Sequence, residues 1–127
     1  MKNGKCKRIL WFVVSALFLG LYWVLCRFVL FGLHGMKSWC DMLMYVSAGA
    51  VVLSAVMDLR ITAAAAPTGY MLGFAAGAVF NTDGMDPGGG ATNNFWLIWT
   101  IGLAVCVFVG LVADIALAFA RKRKKAA

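Results

Sequence analysis

Asp114 is the residue with the greatest capacity for chemistry, because it is an acid inside a long apolar stretch. It precedes Arg121, the first residue of a basic block, by seven positions, which in a helix places it about 10 Å inside that boundary. An acid within a membrane span costs about 2.5–3.5 kcal/mol on insertion scales, so it has a partner or a function. We favour an ion pair with Arg60 or with a base of the tail. The alternative is a site for a proton or small cation, in which Thr68 and Ser54 add hydroxyl ligands at comparable depth.

Arg27 and Asp41 form a second candidate charge pair, on the opposite side of the predicted membrane. Arg27 lies six residues before the end of its apolar stretch at Leu33, or about 9 Å below that boundary. Its long side chain can extend outward toward Asp41, which stands at the start of the next stretch. We expect this contact to orient the two segments rather than to belong to a transport pathway.

The external segment 81–94 is rich in Asp, Asn and Gly. Asn81, Asp83 and Asp86 offer oxygen ligands at the short spacing of a calcium loop, but no acid stands at the closing position of the full calcium-binding pattern. The same residue types are those that turns require, and Asp86 is followed directly by Pro87 and Gly88. We therefore interpret this loop as a turn and predict no metal site.

The four cysteines, Cys6, Cys26, Cys40 and Cys106, contain no CxxC pair. Cys26 and Cys40 lie nearest the same boundary but at different depths, and a disulfide needs Cα atoms within about 7 Å, so none is predicted. The single histidine, His34, is expected in a loop and cannot supply a metal cluster by itself. The sequence also lacks a Ser–His–Asp arrangement and a phosphate-binding glycine loop, so it predicts neither an enzyme nor a cofactor.

Membrane helices are the elements that must position these residues. The chain has 127 residues, of which 63% are hydrophobic and 13% charged, whereas soluble domains are about half apolar and a quarter charged. A helix needs about 20 residues to cross a bilayer, and four continuous apolar stretches approach or exceed that length: 9–33, 39–57, 61–80 and 95–120. We predict an all-α membrane protein in which 1–127 form one domain of four transmembrane helices with short loops.

The basic residues predict the orientation of these helices. By the positive-inside rule both termini are cytoplasmic, in a multi-pass protein of the cell membrane. The segment 121–127 is a basic cytoplasmic tail, which we expect to attract anionic lipid headgroups rather than nucleic acid. Ten of the twelve basic residues fall on this side: Lys2, Lys5, Lys7, Arg8, Arg60, Arg121, Lys122, Arg123, Lys124 and Lys125.

Two stripes of small residues predict close helix packing. In lipid, helices associate where small side chains let their backbones approach each other. The third stretch has glycines at every fourth position, namely Gly69, Gly73 and Gly77. The fourth stretch has small residues at the same spacing, namely Gly102, Cys106 and Gly110. We favour an antiparallel hairpin of these two helices, because they are adjacent in sequence. The alternative is that one stripe faces another copy of the chain.

Pro67 is the seventh residue of the third stretch. A proline inside a helix removes a backbone hydrogen bond and crowds the preceding turn. The 14 residues from Pro67 to Phe80 would span only about 21 Å, too short to cross alone. We therefore predict a third helix that is kinked or broken at Pro67, with the residues before it also in the membrane.

Three functions are compatible with these features. We favour a non-catalytic accessory or scaffold subunit of a bacterial-type inner membrane, acting through helix–helix contacts with another membrane protein or with copies of itself. The first alternative is a small oligomeric channel or transporter with Asp114 as its proton or cation site. The second is a pore former of the holin type. The absence of catalytic motifs together with the packing stripes motivates the first choice.

Overall fold

The computed structural model describes residues 2–30, 32, 37–85 and 87–126, so His34 and Asp86 lie outside the described residues. Within these ranges, four helices are long and apolar enough to cross a membrane. They are α1 (Lys2–Val24), continued by a π-helical segment (Leu25–Val29), then α2 (Lys37–Met57), α3 (Arg60–Phe80) and α4 (Phe95–Ala126). A short antiparallel hairpin of β1 (Asp83–Met85) and β2 (Ala91–Asn93) joins α3 to α4.

The structure differs from the predicted boundaries at the first helix, which begins at Lys2 rather than at residue 9, at the C-terminal segment and in the loop 81–94. The basic segment from Arg121 is not a separate tail, because α4 continues through it to Ala126. Lysine and arginine have high helix propensity, and positive charges stabilise the C-terminal end of a helix. The helix therefore continues beyond the end of the apolar stretch. The loop 81–94 contains the two paired strands in addition to its turn, with Asp83 opposite Asn93.

Helix α3 is the central element of the fold. It packs against α1, α2 and most extensively α4, whereas α1 and α2 also pack against each other. Helix α4 has little contact with α2 and at most marginal contact with α1. The molecule is therefore a three-helix group with a fourth helix lying along α3, and α1 and α4 leave part of α3 uncovered between them.

The predicted glycine stripes lie in the interface between α3 and α4. A Cβ atom added at Gly73 would lie 2.6 Å from the carbonyl oxygen of Trp99, and one at Gly102 would lie 2.7 Å from the Cα of Gly73. These distances are too short for any side chain, so the two backbones are in direct contact. The remaining three glycines of the stripes also face the other helix of this pair: Gly69 faces Cys106, Gly77 faces Phe95, and Gly110 faces Ala65.

An aromatic cluster lies in the same interface, toward the end of α3 and α4 that the β1–β2 hairpin joins. The ring of Trp99 lies 5.2 Å from Tyr70, 5.1 Å from Phe74 and 5.9 Å from Phe95, each in an edge-to-face arrangement. All four rings are buried, and the Trp99 indole N–H donates a 2.9 Å hydrogen bond to the carbonyl of Tyr70. Rings and glycines therefore alternate in this part of the interface, where Gly73 contacts Trp99 and Gly77 contacts Phe95.

Helix α3 runs without interruption from Arg60 to Phe80, with Pro67 in its interior. Pro67 is buried, and the hydroxyl of the next residue, Thr68, donates a 2.8 Å hydrogen bond to the carbonyl of Ala64. The predicted bend of the helix axis at Pro67 stays a prediction.

The turn between α2 and α3 is made by Asp58 and Leu59. Asp58 has a φ of 58°, a left-handed conformation that Asp and Asn tolerate better than most residues. The N–H of Leu59 donates a 2.8 Å hydrogen bond to the carbonyl of Ser54, five residues earlier, as in a Schellman motif. This tight ending of α2 lets α3 begin at Arg60 with no intervening loop.

A substitution of Gly73 by isoleucine tests the close contact of α3 and α4. The new side chain would meet the Trp99 backbone, which cannot move aside as a flexible side chain would, so we expect the free energy of unfolding to fall by about 3 kcal/mol. Gly49→Ile in α2 is the matched control, since a Cβ at Gly49 meets nothing within 4 Å. The measurement is unfolding of the purified protein in mixed micelles. Equal stability of the two variants would contradict the interface.

Candidate functional site

The carboxylate of Asp114 caps the N-terminus of α3. Its Oδ1 accepts a 3.2 Å hydrogen bond from the N–H of Ile61, and its Oδ2 accepts 2.8 Å bonds from both the N–H and the hydroxyl of Thr62. The N-cap position of α3 is Leu59, whose side chain has no acceptor for these donors. The first N–H groups of a helix lack partners within it, and that end of the helix carries partial positive charge. A carboxylate supplied by α4 satisfies both requirements.

The favoured ion pair between Asp114 and Arg60 is not formed. Arg60 instead lies 3.7 Å from Asp58, which also contacts Arg8 at 3.3 Å. Among the described residues, Asp114 has no ion-pair partner within 4 Å. The physical reason is that the α3 N-terminus already supplies positive charge and three donors to this carboxylate.

The other two residues of the predicted ion site, Thr68 and Ser54, donate to their own helices. The hydroxyl of Thr68 bonds to the carbonyl of Ala64 at 2.8 Å, and that of Ser54 bonds to the carbonyl of Ala50 at 2.6 Å. In the described part of the chain, neither hydroxyl forms a hydrogen bond with Asp114. The threonine that contacts the acid is Thr62.

The register of the two stripes in the structure accounts for the contact of Asp114 with Thr62. Gly110 faces Ala65 and the backbone of Thr62 across the antiparallel interface, and Asp114 stands one helical turn beyond Gly110. That turn brings the acid opposite the start of α3. The sequence does not contain the register of the two helices, which places Gly110 opposite Ala65.

An inner cavity of about 430 Å³ lies beside this cap. Its lining includes Trp11, Asp58, Arg60, Asp114 and Arg121. Its lining thus combines two arginines and two aspartates, whose formal charges balance, with apolar side chains. Within the described residues, no group of three or more His, Cys, Asp or Glu side chains is arranged to hold a metal ion.

At the opposite end of the helices, Arg27 and Asp41 form an ion pair. Arg27 Nη1 lies 2.9 Å from Asp41 Oδ2, and the indole N–H of Trp23 donates a 3.0 Å bond to the other carboxylate oxygen. The two charged side chains are only 24% and 33% exposed, so the pair is shielded from its surroundings. Arg27 belongs to the π-helical segment, whose wider turn changes the direction of its side chains relative to α1. The pair links the end of the first span to the start of α2.

Beneath this ion pair, a buried polar contact joins α2 to α3. The sulfur of Cys40 lies 3.0 Å from the hydroxyl oxygen of Tyr70, and that hydroxyl lies 3.2 Å from the carbonyl of Cys40. Both side chains are fully buried. In this geometry the Tyr70 hydroxyl donates a hydrogen bond to the Cys40 carbonyl and can accept one from the Cys40 thiol. Sequence reasoning missed this contact, because the two residues lie on different helices and no motif connects them.

The loop 81–94 uses its polar side chains to build the β1–β2 hairpin. The amide nitrogen of Asn81 donates to the carbonyls of Gly77 and Ala78 at the end of α3. The amide nitrogen of Asn93 donates to the side-chain oxygens of Asn81 and Asp83, at 3.1 and 2.6 Å. These contacts agree with the interpretation of the loop as a turn, and Asp86 lies outside the described residues.

Substitution of Asp114 tests its role as a cap. Asp114→Ala removes the acceptor of three hydrogen bonds and should lower the free energy of unfolding by about 2 kcal/mol. Asp114→Asn keeps one acceptor oxygen and should cost about half as much. Ile115→Ala, at the neighbouring exposed position of α4, controls for truncation of a side chain. Unfolding in mixed micelles measures the series. A cost for Asp114→Ala no larger than that of the control would refute the capping role.

The chain gives no relative from which a function could be transferred. Comparisons with models of protein families, with curated proteins and with solved structures found no match. The function therefore has to be inferred from the contacts, cavities and charges of the chain itself.

Proposed function

We propose that the chain is a non-catalytic accessory or scaffold subunit of a bacterial-type inner membrane that acts through lateral helix–helix contacts. A groove of about 330 Å³ along the outer side of the α3–α4 hairpin carries this proposal. Its floor consists of small residues, among them Ala64, Ala65, Thr68, Cys106 and Gly110. We call it the hairpin groove.

The composition of the hairpin groove favours another transmembrane helix as its occupant. Helices in lipid gain little from burying apolar side chains, so close approach over small residues provides the attraction between them. The groove is available because α1 and α4 both pack on α3 and have at most marginal contact with each other. The partner helix belongs either to another membrane protein or to a second copy of the chain.

The polar groups inside the spans support an accessory function over an ion pathway. Both carboxylate oxygens of Asp114 accept hydrogen bonds from α3, and Asp41 is held by Arg27 and Trp23. Charges with such partners stabilise the bundle. An ion-conducting site instead needs a carboxylate that can exchange its partners.

We further propose that both termini lie in the cytoplasm. The contact of Arg8 with Asp58 puts the N-terminus beside the α2–α3 turn, and the contact of Asp114 with Thr62 puts the basic end of α4 at the same end of the bundle. Ten of the twelve basic residues thus belong to one end of the molecule. The positive-inside rule and attraction to anionic headgroups both favour that end as the cytoplasmic one.

Thiol labelling tests this orientation. Cys6 is exposed at the end assigned to the cytoplasm, so a membrane-impermeant maleimide should label it only after cells are permeabilised. Met85 in β1 is 82% exposed. Met85→Cys in a Cys6→Ser background should therefore be labelled in intact spheroplasts. The reverse pattern would mean that the termini are outside.

Photocrosslinking from the hairpin groove tests the scaffold function. Cys106 lines the groove, and in a Cys6→Ser background it is the accessible thiol, since Cys26 and Cys40 are buried. A photoactivatable maleimide on Cys106 should give one adduct of defined mass, either twice that of the chain or that of a specific partner. The same probe on Phe108→Cys, in a Cys6→Ser/Cys106→Ser background, is the matched control, because residue 108 is exposed and lies about 200° around α4. Equal yields from both sites would rule out a specific contact in the groove.

A further inference from the structure

A second groove runs between α1 and α3 and ends at the inner cavity. It has a volume of about 350 Å³ and a mostly apolar lining, which includes Trp11, Phe18, Tyr22 and Pro67. Trp11 lines both this groove and the inner cavity, and its indole N–H donates a 3.0 Å hydrogen bond to the carbonyl of Arg60. An apolar groove thus continues into a polar, charged site at one tryptophan.

Both helices place an arginine at the inner end of this groove. Residues three or four apart share one face of a helix. On α1, Arg8 lies one turn before Trp11 and continues the groove face toward the N-terminus. On α3, Arg60 lies one turn before Ala64 and continues the groove face in the same way. The Asp58 carboxylate lies 3.3 Å from Arg8 and 3.7 Å from Arg60. The two guanidinium groups therefore meet at the same carboxylate.

The charge at this end of the groove is positive. One carboxylate is shared by two guanidinium groups, which leaves a net charge of about +1 on the three side chains. Their exposed fractions are 45% for Arg8, 55% for Arg60 and 42% for Asp58, so an additional anion can reach them. Guanidinium groups bind phosphate oxygens well, because their donors match the spacing of two oxygens.

The length of the groove matches one leaflet of a bilayer. From Trp11 to Tyr22 the α1 wall of the groove rises about 16 Å, whereas the hydrocarbon core of a bilayer is about 30 Å thick. The groove thus extends from the arginines to about the middle of the membrane. One acyl chain, hanging from a headgroup at the arginines, covers that distance.

We propose that the groove between α1 and α3 binds one anionic phospholipid, with its phosphate at Arg8 and Arg60 and an acyl chain along the groove. An anionic lipid fits better than a zwitterionic one, because a choline group would bring a further cation beside the two arginines. The two grooves share Ala64 and Thr68. The headgroup site at Arg8 and Arg60 lies outside the hairpin groove and needs no protein partner, so the test of that site is independent of the proposed function.

Native mass spectrometry of the purified protein tests the headgroup site. In titrations with phosphatidylglycerol and phosphatidylcholine of equal chain length, the wild type should retain one phosphatidylglycerol with about tenfold higher apparent affinity, or about 1.4 kcal/mol. Arg8→Gln/Arg60→Gln should bring the two lipids to near equality. Lys124→Gln/Lys125→Gln removes the same number of charges from the end of α4 and should leave the preference unchanged. An equal loss in both double variants would reveal diffuse electrostatic attraction and overturn the site.

Two further variants separate the headgroup from the acyl chain. Asp58→Asn releases both arginines and should tighten phosphatidylglycerol binding several-fold, and asparagine tolerates the φ of 58° at this position. Ala64→Phe places a large ring in the groove and should weaken retention of both lipids while the arginines remain. Weaker phosphatidylglycerol binding by Asp58→Asn would overturn the headgroup assignment, even if Ala64→Phe failed to fold. Unchanged binding by a monodisperse Ala64→Phe variant would overturn the acyl-chain assignment.

Discussion

The direct contact of the α3 and α4 backbones at Gly73 and Gly102 is the constraint on which the other features depend. In lipid, two apolar surfaces gain little by meeting, so the attraction comes from the many atom contacts that close backbones allow. The contact also fixes the register of the antiparallel pair. That register sets Asp114 beside Thr62 at one end and Gly77 against Phe95 at the other. Helix α3, held in this way, provides the surface on which α1 and α2 pack.

The cap by Asp114 explains how a charge is tolerated within a span. The tight turn at Asp58 ends α2 and starts α3 at once, so the N-cap position falls on Leu59, which cannot accept a hydrogen bond. The first N–H groups of α3 have no acceptors within their own helix and need partners from elsewhere. The carboxylate of a neighbouring helix does so, and the positive end of α3 offsets the cost of its charge. A carboxylate in an apolar span and a helix end with unpaired N–H groups each cost free energy alone. Here the two groups satisfy each other.

The sequence predicted features that depend on one helix or on neighbours along the chain. Continuous apolar runs indicate the four helices, the four-residue spacing indicates the face of α3 that meets α4, and Arg27 and Asp41 flank one short connection. Features that depend on register between helices could not be predicted. The pairing of Cys40 with Tyr70 and the choice of Thr62 over Thr68 require knowing which turns lie opposite each other. Hydrophobic periodicity identifies a face but not the atoms it meets.

The central position of α3 also determines the two outward grooves. Because α1 and α4 flank α3 without packing against each other, Ala64 and Thr68 border both the groove on the α1 side and the groove on the α4 side. The Thr68 hydroxyl donates a hydrogen bond to the Ala64 carbonyl. This bond satisfies the hydroxyl even though the Thr68 side chain is exposed. A lipid chain held on the α1 side would therefore form part of the wall that a helix in the hairpin groove meets. We expect lipid binding and partner binding to influence each other through the shared residues Ala64 and Thr68.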